Sequence, residues 1–392
     1  MKHIFLLLCL LVVICSCKQK NNETTEIIVV NVAKDYPSKN IFLQDIADIE
    51  YIPIASSDSF LVNSSFSQIS EEGIVARGGK AGEILLFDNK GQKLQGHICR
   101  RGQGPEEYTA VIANIVDWKR KEVFIADYGS LKVYDFSGNY LRTLLKEDIM
   151  RLNIKNLNEN YLLCSYNNEY TKTPYRPFYT ISKDTGKSDT LSFEIPRFIA
   201  SNRHVTMEDG KVSHAHGYLP QIYSCSDKIW LTDVALDTVF ILHADKHLEP
   251  VMIPLQAPTK DEEAPLLFFL GMNDQYAWVT RLARNVTTTM DDMIANHEKR
   301  EKTYMYNRAT QEWMEPIYRN KDFTSRTHDP QSINITSVPY GYGLVVLEAM
   351  DLVEAYQNNE IANEQLKVIA SKLKEEDNPI LMKLKFKPST RK

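Results

Sequence analysis

Short apolar runs alternate with polar turns along most of this chain, and the alternation repeats. Ile84–Phe87 is an apolar run that leads into an Asn-Lys-Gly turn and a short returning run, which together predict a β-hairpin. The same strand–turn–Gly pattern returns at Val133–Leu141 and at Tyr179–Lys187, and looser copies follow at Val239–Lys246 and Tyr304–Gln311. The repetition indicates one structural unit used several times along the chain.

A further apolar strand precedes the hairpin in most of these units. The preceding strands are Glu122–Asp127, Tyr161–Ser165, Lys228–Thr232 and Tyr276–Thr280. A four-stranded unit that recurs every roughly 40 to 50 residues is typical of a propeller blade. The units lie near residues 65–100, 108–146, 150–194, 212–255, 265–318 and 331–387. The pattern therefore predicts an all-β fold, a six-bladed β-propeller.

Two segments interrupt this rhythm. Thr287–Arg300 is polar and predicts a helical insertion within the fifth unit. Met350–Glu376 is rich in helix-forming residues with apolar positions at helical spacing, and it predicts a short C-terminal helical insertion. Ile380–Phe386 then alternates like a last strand. We expect Glu26–Val32 or Ile49–Ile54 to pair in the last unit, because a closed ring leaves no unpaired sheet edges at its ends.

Three stretches resemble a known family. The glycine-rich RGQGPEEY of Arg101–Tyr108, the EYIPI that ends Ile49–Ile54, and Leu373–Leu381 are similar to segments of six-bladed β-propeller lipoproteins of the Bacteroides type. One departure is Glu106, which stands where the family pattern has glycine. The resemblance spans nearly the whole mature chain and implies the propeller fold, but the family's function is largely uncharacterised.

The N-terminus has the pattern of a secretory signal. Ile4–Ile14 is an unbroken apolar run, far shorter than the roughly 20 residues that span a bilayer, and it follows a basic start. The end, Ile14-Cys-Ser-Cys17, resembles a bacterial lipobox, which implies a signal peptide at 1–16 and a lipid on Cys17; an ordinary signal with a chance cysteine is the alternative. Residues 17–25 then form a polar tether and 26–392 the propeller.

This interpretation places the protein in the cell envelope, anchored to a membrane through its N-terminal lipid. The residues after Cys17 are basic and lack the acidic run associated with surface-exported relatives, so we expect the periplasmic face of the outer membrane. We expect a monomer.

Composition narrows the partners further. The chain has 392 residues with 25% charged residues, 10% aromatic residues and a net charge of −5, so it has no basic footprint for nucleic acid.

Three cysteines remain beyond the lipobox, Cys99, Cys164 and Cys225, without CxxC spacing. Buried free thiols are the simpler interpretation, and one disulfide plus one free thiol stays open because the compartment permits it.

Arginines supply the candidate ligand-binding residues. Arg101 and Gln103 lie in the glycine-rich stretch that links the first two units, where a guanidinium can clamp a carboxylate or sulfate. Arg281 and Arg284 follow a predicted strand and would complete a positive funnel with Arg101. The structural alternative, which we favour, is that these side chains join adjacent blades.

Histidines supply the candidate metal ligands. His214 and His216 point to one face if their segment is a strand, and His204 lies ten residues before His214. Three imidazoles suit zinc or copper, although a solvated polar rim explains them more simply. No motif implies a cofactor.

These observations favour a non-enzymatic binding or scaffold module that engages an envelope protein or a small ligand, either a glycan or a peptide. The rival hypothesis is a lyase or hydrolase at the mouth of the channel, with or without a metal, and whether catalysis occurs stays open. We expect the four tryptophans to lie in the core between blades: Trp118, Trp230, Trp278 and Trp313. The alternative is that one of them is exposed and forms a stacking platform for sugars.

Overall fold

The computed structural model describes residues 27–388 except 58, 146–152, 166–175, 197–198, 200, 208–209, 218–220, 226–227, 237, 244–245, 255–264, 290, 293–300, 337 and 339–340. Strands dominate this part of the chain, and the helices are short. This agrees with the predicted all-β class.

The strands are numbered from the N-terminus. The N-terminal segment contributes β1 Ile28–Val30, β2 Ser38–Phe42 and β3 Ala47–Pro53. The next strands are β4 Val62–Ile69, β5 Ile74–Gly78, β6 Ile84–Phe87, β7 Leu94–Ile98, β8 Ala113–Asp117, β9 Glu122–Asp127, β10 Ser130–Asp135, β11 Tyr140–Leu145, β12 Asn153–Asn156, β13 Tyr161–Ser165, β14 Phe178–Ser182 and β15 Ser188–Thr190. The remaining strands are β16 Ser201–Thr206, β17 Val212–Gly217, β18 Gln221–Cys225, β19 Lys228–Thr232, β20 Val239–Leu242, β21 Leu248–Pro254, β22 Leu266–Met272, β23 Tyr276–Leu282, β24 Asn285–Thr289, β25 Glu301–Asn307, β26 Glu312–Arg319, β27 Tyr342–Leu347 and β28 Ile380–Phe386.

The helices are α1 Leu43–Ile46, α2 Ala349–Gln357 and α3 Glu364–Ala370, and Arg326–His328 forms one 3-10 turn. Helices α2 and α3 confirm the predicted helical insertion before the last strand. The insertion is divided because Asn359 has a positive φ of 56° and Asn363 caps α3, its Oδ1 accepting from the N–H of Leu366 at 3.0 Å.

Six small sheets follow one another along the chain. Strands β4–β7, β8–β11 and β12–β15 form the first three, each with its strands paired in sequence order. Strands β18–β21 form the fourth with β1, strands β22, β23, β25 and β26 form the fifth with β2, and β27 and β28 form the sixth with β3. These sheets follow the order of the predicted units, although the fourth and fifth hold five strands each and the sixth holds three.

The N-terminal segment covers the outer edges of three successive sheets. Strand β1 runs parallel to β21, β2 runs parallel to β26, and β3 is antiparallel to β28. The expected pairing of Ile49–Ile54 in the last unit is thus confirmed, whereas Ile28–Val30 pairs in the fourth sheet. Each added strand satisfies the N–H and C=O groups of an edge that would otherwise stay open.

Hydrophobic clusters join each sheet to the next. For example, Val75 and Val123 share one cluster between the first and second sheets, and Trp230 and Tyr304 share one between the fourth and fifth. One cluster holds Leu381 of the sixth sheet together with Ile74 of the first. The sheets therefore pack in a propeller-like order.

A further small sheet departs from the predicted pattern. Strand β17 was expected in the fourth unit, but it pairs with β16, which in turn runs parallel to β24. The predicted helix over Thr287–Arg300 is wrong at its start, because β24 includes Thr287, Thr288 and Thr289, and β-branched threonines favour a strand. Asp291 and Asp292 are helical as predicted, and residues 290 and 293–300 of that prediction lie outside the described residues.

Candidate functional site

One cavity, of about 470 Å³, lies where the first strands of the first three sheets end. We call it the mixed-charge cavity. Its lining comprises Ser67–Glu72, Ile115–Lys119, Lys155, Asn156, Asn158, Glu159, Lys183, Thr336 and Val338. Because β4, β8 and β12 belong to successive sheets, the cavity is formed by three neighbouring sheets and not by one loop.

A buried ion pair forms part of its wall. Lys183 Nζ lies 2.6 Å from Asp117 Oδ2, and the side chains are only 1% and 9% exposed. The same Nζ donates to the carbonyl oxygen of Asn158 at 2.8 Å. Burial lowers the pKa of the Lys183 ammonium, while the hydrogen bond to Asp117 opposes that shift. The pair ties the second sheet to the third.

Side-chain amides tie the first strands together beside the cavity. Gln68 Oε1 accepts from the N–H of Val116 at 3.1 Å, and Asn156 Nδ2 donates to the carbonyl oxygen of Val116 at 2.9 Å. Asn156 Oδ1 and Trp118 Nε1 are buried and have no hydrogen-bond partner among the described residues. Two polar atoms at this cavity are thus unsatisfied.

The ring of Trp118 lines the same cavity in a fixed orientation. It meets the ring of Phe136 edge to face, with centroids 5.4 Å apart. The indole also lies close to Gly73, where an added Cβ would be only 2.4 Å from its Cη2. Glycine is therefore required at position 73 if the indole is to keep this place.

A second cavity, of about 730 Å³, is lined by the start of β4, the segment after β26, the end of β27 and the start of α2. We call it the acidic cavity. Its lining comprises Ser64–Phe66, Phe323, Thr327–Ser332, Asn334, Leu344–Glu348, Asp351 and Leu352. Asp329, Glu348 and Asp351 supply carboxylates, and none of these lining residues is a lysine or arginine.

Hydrogen bonds and packing hold the polar groups of the acidic cavity. His328 Nε2 lies 2.8 Å from Glu360 Oε2, and the imidazole stacks on Phe323 with centroids 4.7 Å apart. Asp329 Oδ2 accepts from Arg319 Nη1 at 2.9 Å, so that aspartate is already partly neutralised. Glu348 and Asp351 are exposed, and they keep most of their accepting capacity for a ligand.

A distortion of β4 shapes the edge of the acidic cavity. Ser64 has a φ of 60°, uncommon for a residue with a side chain, and it falls where the register with β5 shifts between Val62 and Phe66. Its hydroxyl donates to Glu348 Oε2 at 3.0 Å. The bulge thereby brings a strand of the first sheet to the helical insertion of the sixth.

The glycine-rich stretch that contains Arg101 and Gln103 is a crossover between the first two sheets. Arg101 Nε donates to the carbonyl oxygen of Thr109 at 3.1 Å, and Gln103 is exposed. Glu107 Oε2 accepts from the N–H of Gly104 at 2.9 Å. An added Cβ on Gly102 would lie 1.8 Å from the same carboxylate oxygen, so glycine allows this close approach.

The other predicted arginines do not join Arg101 at a cavity. Arg281 Nη1 donates to the carbonyl oxygen of Lys34 at 3.3 Å, and its Nη2 donates to Asp35. Arg284 is half-buried. Within the described residues, none of the three arginines lines either of the two cavities.

The remaining predicted site residues are only partly described. His204 of β16 stands opposite His214 of β17 in the backbone register, but the side chains of His214 and His216 lie outside the described residues, as does Cys17. Where the structure describes side chains, it shows no group of three His, Cys, Asp or Glu residues that could hold a metal. Cys164 is a buried free thiol as expected, whereas Cys99 is a free thiol but an exposed one, and the side chain of Cys225 is not described.

Sequence reasoning missed the residues that build the two cavities. Lys183 stands in a turn and Asp117 at a strand end, 66 positions apart, so only the fold brings them together. His328 and Glu348 occur in no recognisable motif. A lysine with a buried partner leaves no local signal in one sequence. Trp118 was named, but as one of four equivalent tryptophans.

No helix in the described part of the chain is long and apolar enough to cross a membrane.

A family model and solved structures are similar to this chain. Residues 27–385 match the family model described as "Domain of unknown function (DUF4934)". No protein of curated function matches the chain. A Bacteroides fragilis protein named as an exported protein has a similar structure, with a TM-score of 0.62, 15% identity and coverage of 92% of this chain and 100% of that chain. A member of the DUF4221 family from Bacteroides vulgatus gives a TM-score of 0.48 at 10% identity, covering 88% of this chain and 98% of the other.

Proposed function

The chain belongs to the DUF4934 family, and we propose that it is a lipid-anchored, non-enzymatic binding module of the cell envelope. In this proposal its six consecutive sheets are the blades of a six-bladed β-propeller. The cluster that holds Ile74 with Leu381 supports the ring, because it joins the last sheet to the first. The strand that completes the last blade is β3, which reaches it from the N-terminal side.

The observation that carries the binding role is the acidic cavity. Its volume of about 730 Å³ lies within the range of small-ligand sites, which is roughly 300 to 1,000 Å³. Apolar side chains such as Phe66 and Leu344 share its lining with the exposed carboxylates of Glu348 and Asp351. A segment of an envelope protein, a peptide or a glycan that presents hydrogen-bond donors fits this chemistry.

The membrane anchor is the second part of the proposal. Cys17 carries the lipid, and residues 17–25 lead to β1 at the outer edge of the fourth sheet. We place the module on the periplasmic face of the outer membrane. Its similarity to a protein named as exported supports a place outside the cytoplasm.

The test is a purification of the tagged, lipidated protein from detergent-solubilised membranes, with identification of the proteins that accompany it. We expect a stoichiometric partner that is lost from a Glu348→Gln/Asp351→Asn variant. The matched control is Glu375→Gln/Glu376→Gln, which changes two exposed carboxylates that line neither cavity. A partner that is equally depleted by the control would contradict a role for the acidic cavity.

An enzyme is the second candidate function. The pairing of His328 with Glu360 favours it, because a carboxylate that orients an imidazole is a common arrangement for a general base. A lyase or hydrolase of this kind would work at the acidic cavity. The test is an assay for cleavage of candidate glycans and peptides by the purified protein. Cleavage by the wild type that is lost in a His328→Ala variant, while the partner is still bound, would favour this candidate over the binding module.

A further inference from the structure

We propose that the mixed-charge cavity is a carbohydrate-binding site in which Trp118 is the stacking surface. This inference rests on the proposed binding function and narrows it, because it assigns a ligand class to the second cavity. Three independent properties of the described residues support it: an accessible and rigidly held indole, unsatisfied polar atoms of both kinds, and a lining whose charges are nearly balanced.

The first property concerns the indole. All four tryptophans lie in the described part of the chain, and Trp230, Trp278 and Trp313 are 0%, 2% and 8% exposed, whereas Trp118 is only half-buried. Contacts with Phe136 and Gly73 fix the Trp118 ring before any ligand arrives. A rigid aromatic face presents a large apolar area at little entropic cost, which suits the apolar C–H face of a pyranose.

The second property concerns hydrogen bonding. Asn156 Oδ1 is an acceptor without a donor, and Trp118 Nε1 is a donor without an acceptor, among the residues that the structure describes. Lys183 has three donors and uses two of them on Asp117 and Asn158. A hydroxyl group both donates and accepts, so a sugar offers partners to an acceptor such as Asn156 Oδ1 and to a donor such as Lys183 Nζ alike.

The third property concerns charge. The lining holds three lysines and four acidic residues, and most of them are paired within the protein: Lys183 with Asp117, Lys119 with Glu159, and Glu71 with Lys383. A lining so neutralised gives little attraction to an ion of either sign. A neutral, polyhydroxylated ligand therefore fits this cavity better than a charged ligand.

The test is a titration of the full-length protein with a panel of neutral di- to hexasaccharides of glucose, galactose, mannose, xylose and N-acetylglucosamine, followed by calorimetry. We expect at least one of them to bind, and its Kd to rise about tenfold or more in Trp118→Ala. Asn156→Ala should weaken the same ligand. Glu375→Gln/Glu376→Gln, which changes two exposed carboxylates that line neither cavity, should leave its affinity unchanged.

A second measurement covers the case in which Trp118→Ala does not fold. Iodide quenches exposed indoles, so in the wild type it reports mainly on Trp118, and a bound sugar should protect that fraction from quenching. The fraction should be missing in Trp118→Phe. The proposal is overturned if no neutral sugar of the panel binds, or if a bound sugar leaves quenching and the Trp118→Ala affinity unchanged. A partner that still depends on Glu348 would then show that the binding module stands without this site.

Discussion

The guanidinium of Arg281 donates to the carboxylate of Asp35 and so fastens the N-terminal segment to the second strand of the fifth sheet. Tyr304 Oη donates to the same Asp35 oxygen at 2.9 Å, and Lys302 Nζ does so at 3.3 Å. These donors lower the pKa of Asp35 to about 2, the hydrogen bond from Tyr304 making the largest contribution. An arginine that looked like a ligand clamp in the sequence thus holds the segment between β1 and β2.

Replacing Asp35 with Asn should loosen the N-terminal segment. Amide hydrogen exchange of residues 27–42 should accelerate at neutral pH while exchange in the first three sheets stays unchanged. Wild-type protection should also fall in acid, because a carboxyl whose folded pKa is depressed loses its contribution as the pH falls from about 4 towards about 2.

The control for this prediction is Asp45→Asn, which removes another exposed carboxylate, one paired with Lys321. Equal acceleration in Asp35→Asn and Asp45→Asn would show that the contacts of Asp35 do not hold the segment.

Breaking the Lys183–Asp117 pair should destabilise the protein strongly. Lys183→Met leaves the Asp117 carboxylate buried without its ammonium, which should lower the free energy of unfolding by about 3 to 5 kcal/mol. The double variant Lys183→Met/Asp117→Leu should recover part of that loss, since no buried charge remains unpaired. Chemical denaturation of both variants measures this difference, and a double variant no more stable than the single one would argue against it.

The stability of the fold should depend on pH through Asp233. Burial raises the pKa of this carboxyl to about 7, against the hydrogen bond from the N–H of Ala235. Between the unfolded pKa and about 7 the folded state binds more protons than the unfolded state, so stability should fall as the pH rises through this window. Thermal unfolding at about pH 5 and about pH 8 should show a smaller difference in Asp233→Asn than in the wild type. Identical differences in the two proteins would contradict the assignment.

Gly102→Ala should displace the Glu107 carboxylate and break its hydrogen bond to the N–H of Gly104. We expect a loss of about 1 to 2 kcal/mol in the free energy of unfolding. Gly129→Ala is the matched control, because an added Cβ there meets nothing within 4 Å. The prediction fails if the two alanine variants unfold at the same denaturant concentration.

The fold could be predicted further than the site. Strands such as Ile84–Phe87 are recognisable because each is a short apolar run that ends in a turn with its own residue preferences. β1 and β2 carry no such signal of their partners. They run parallel to strands more than two hundred residues away, and only the finished sheets offer those edges.

The site was harder to predict for a related reason. Arg101, Arg281 and the histidines stand out by residue type, whereas Asn156 and Lys183 become distinctive only through burial and unsatisfied hydrogen bonds. Those properties arise from the convergence of several sheets. Such residues have no fixed spacing along the chain, so no sequence motif identifies them.

The most direct test of the binding role is photo-crosslinking in living cells. A photoreactive amino acid at Asp351, an exposed residue of the acidic cavity, should give one discrete adduct with an envelope protein or ligand. The same amino acid at Glu375, which is exposed and lines neither cavity, should give none. No adduct at Asp351, or equal adducts at both positions, would contradict a binding module that works through the acidic cavity.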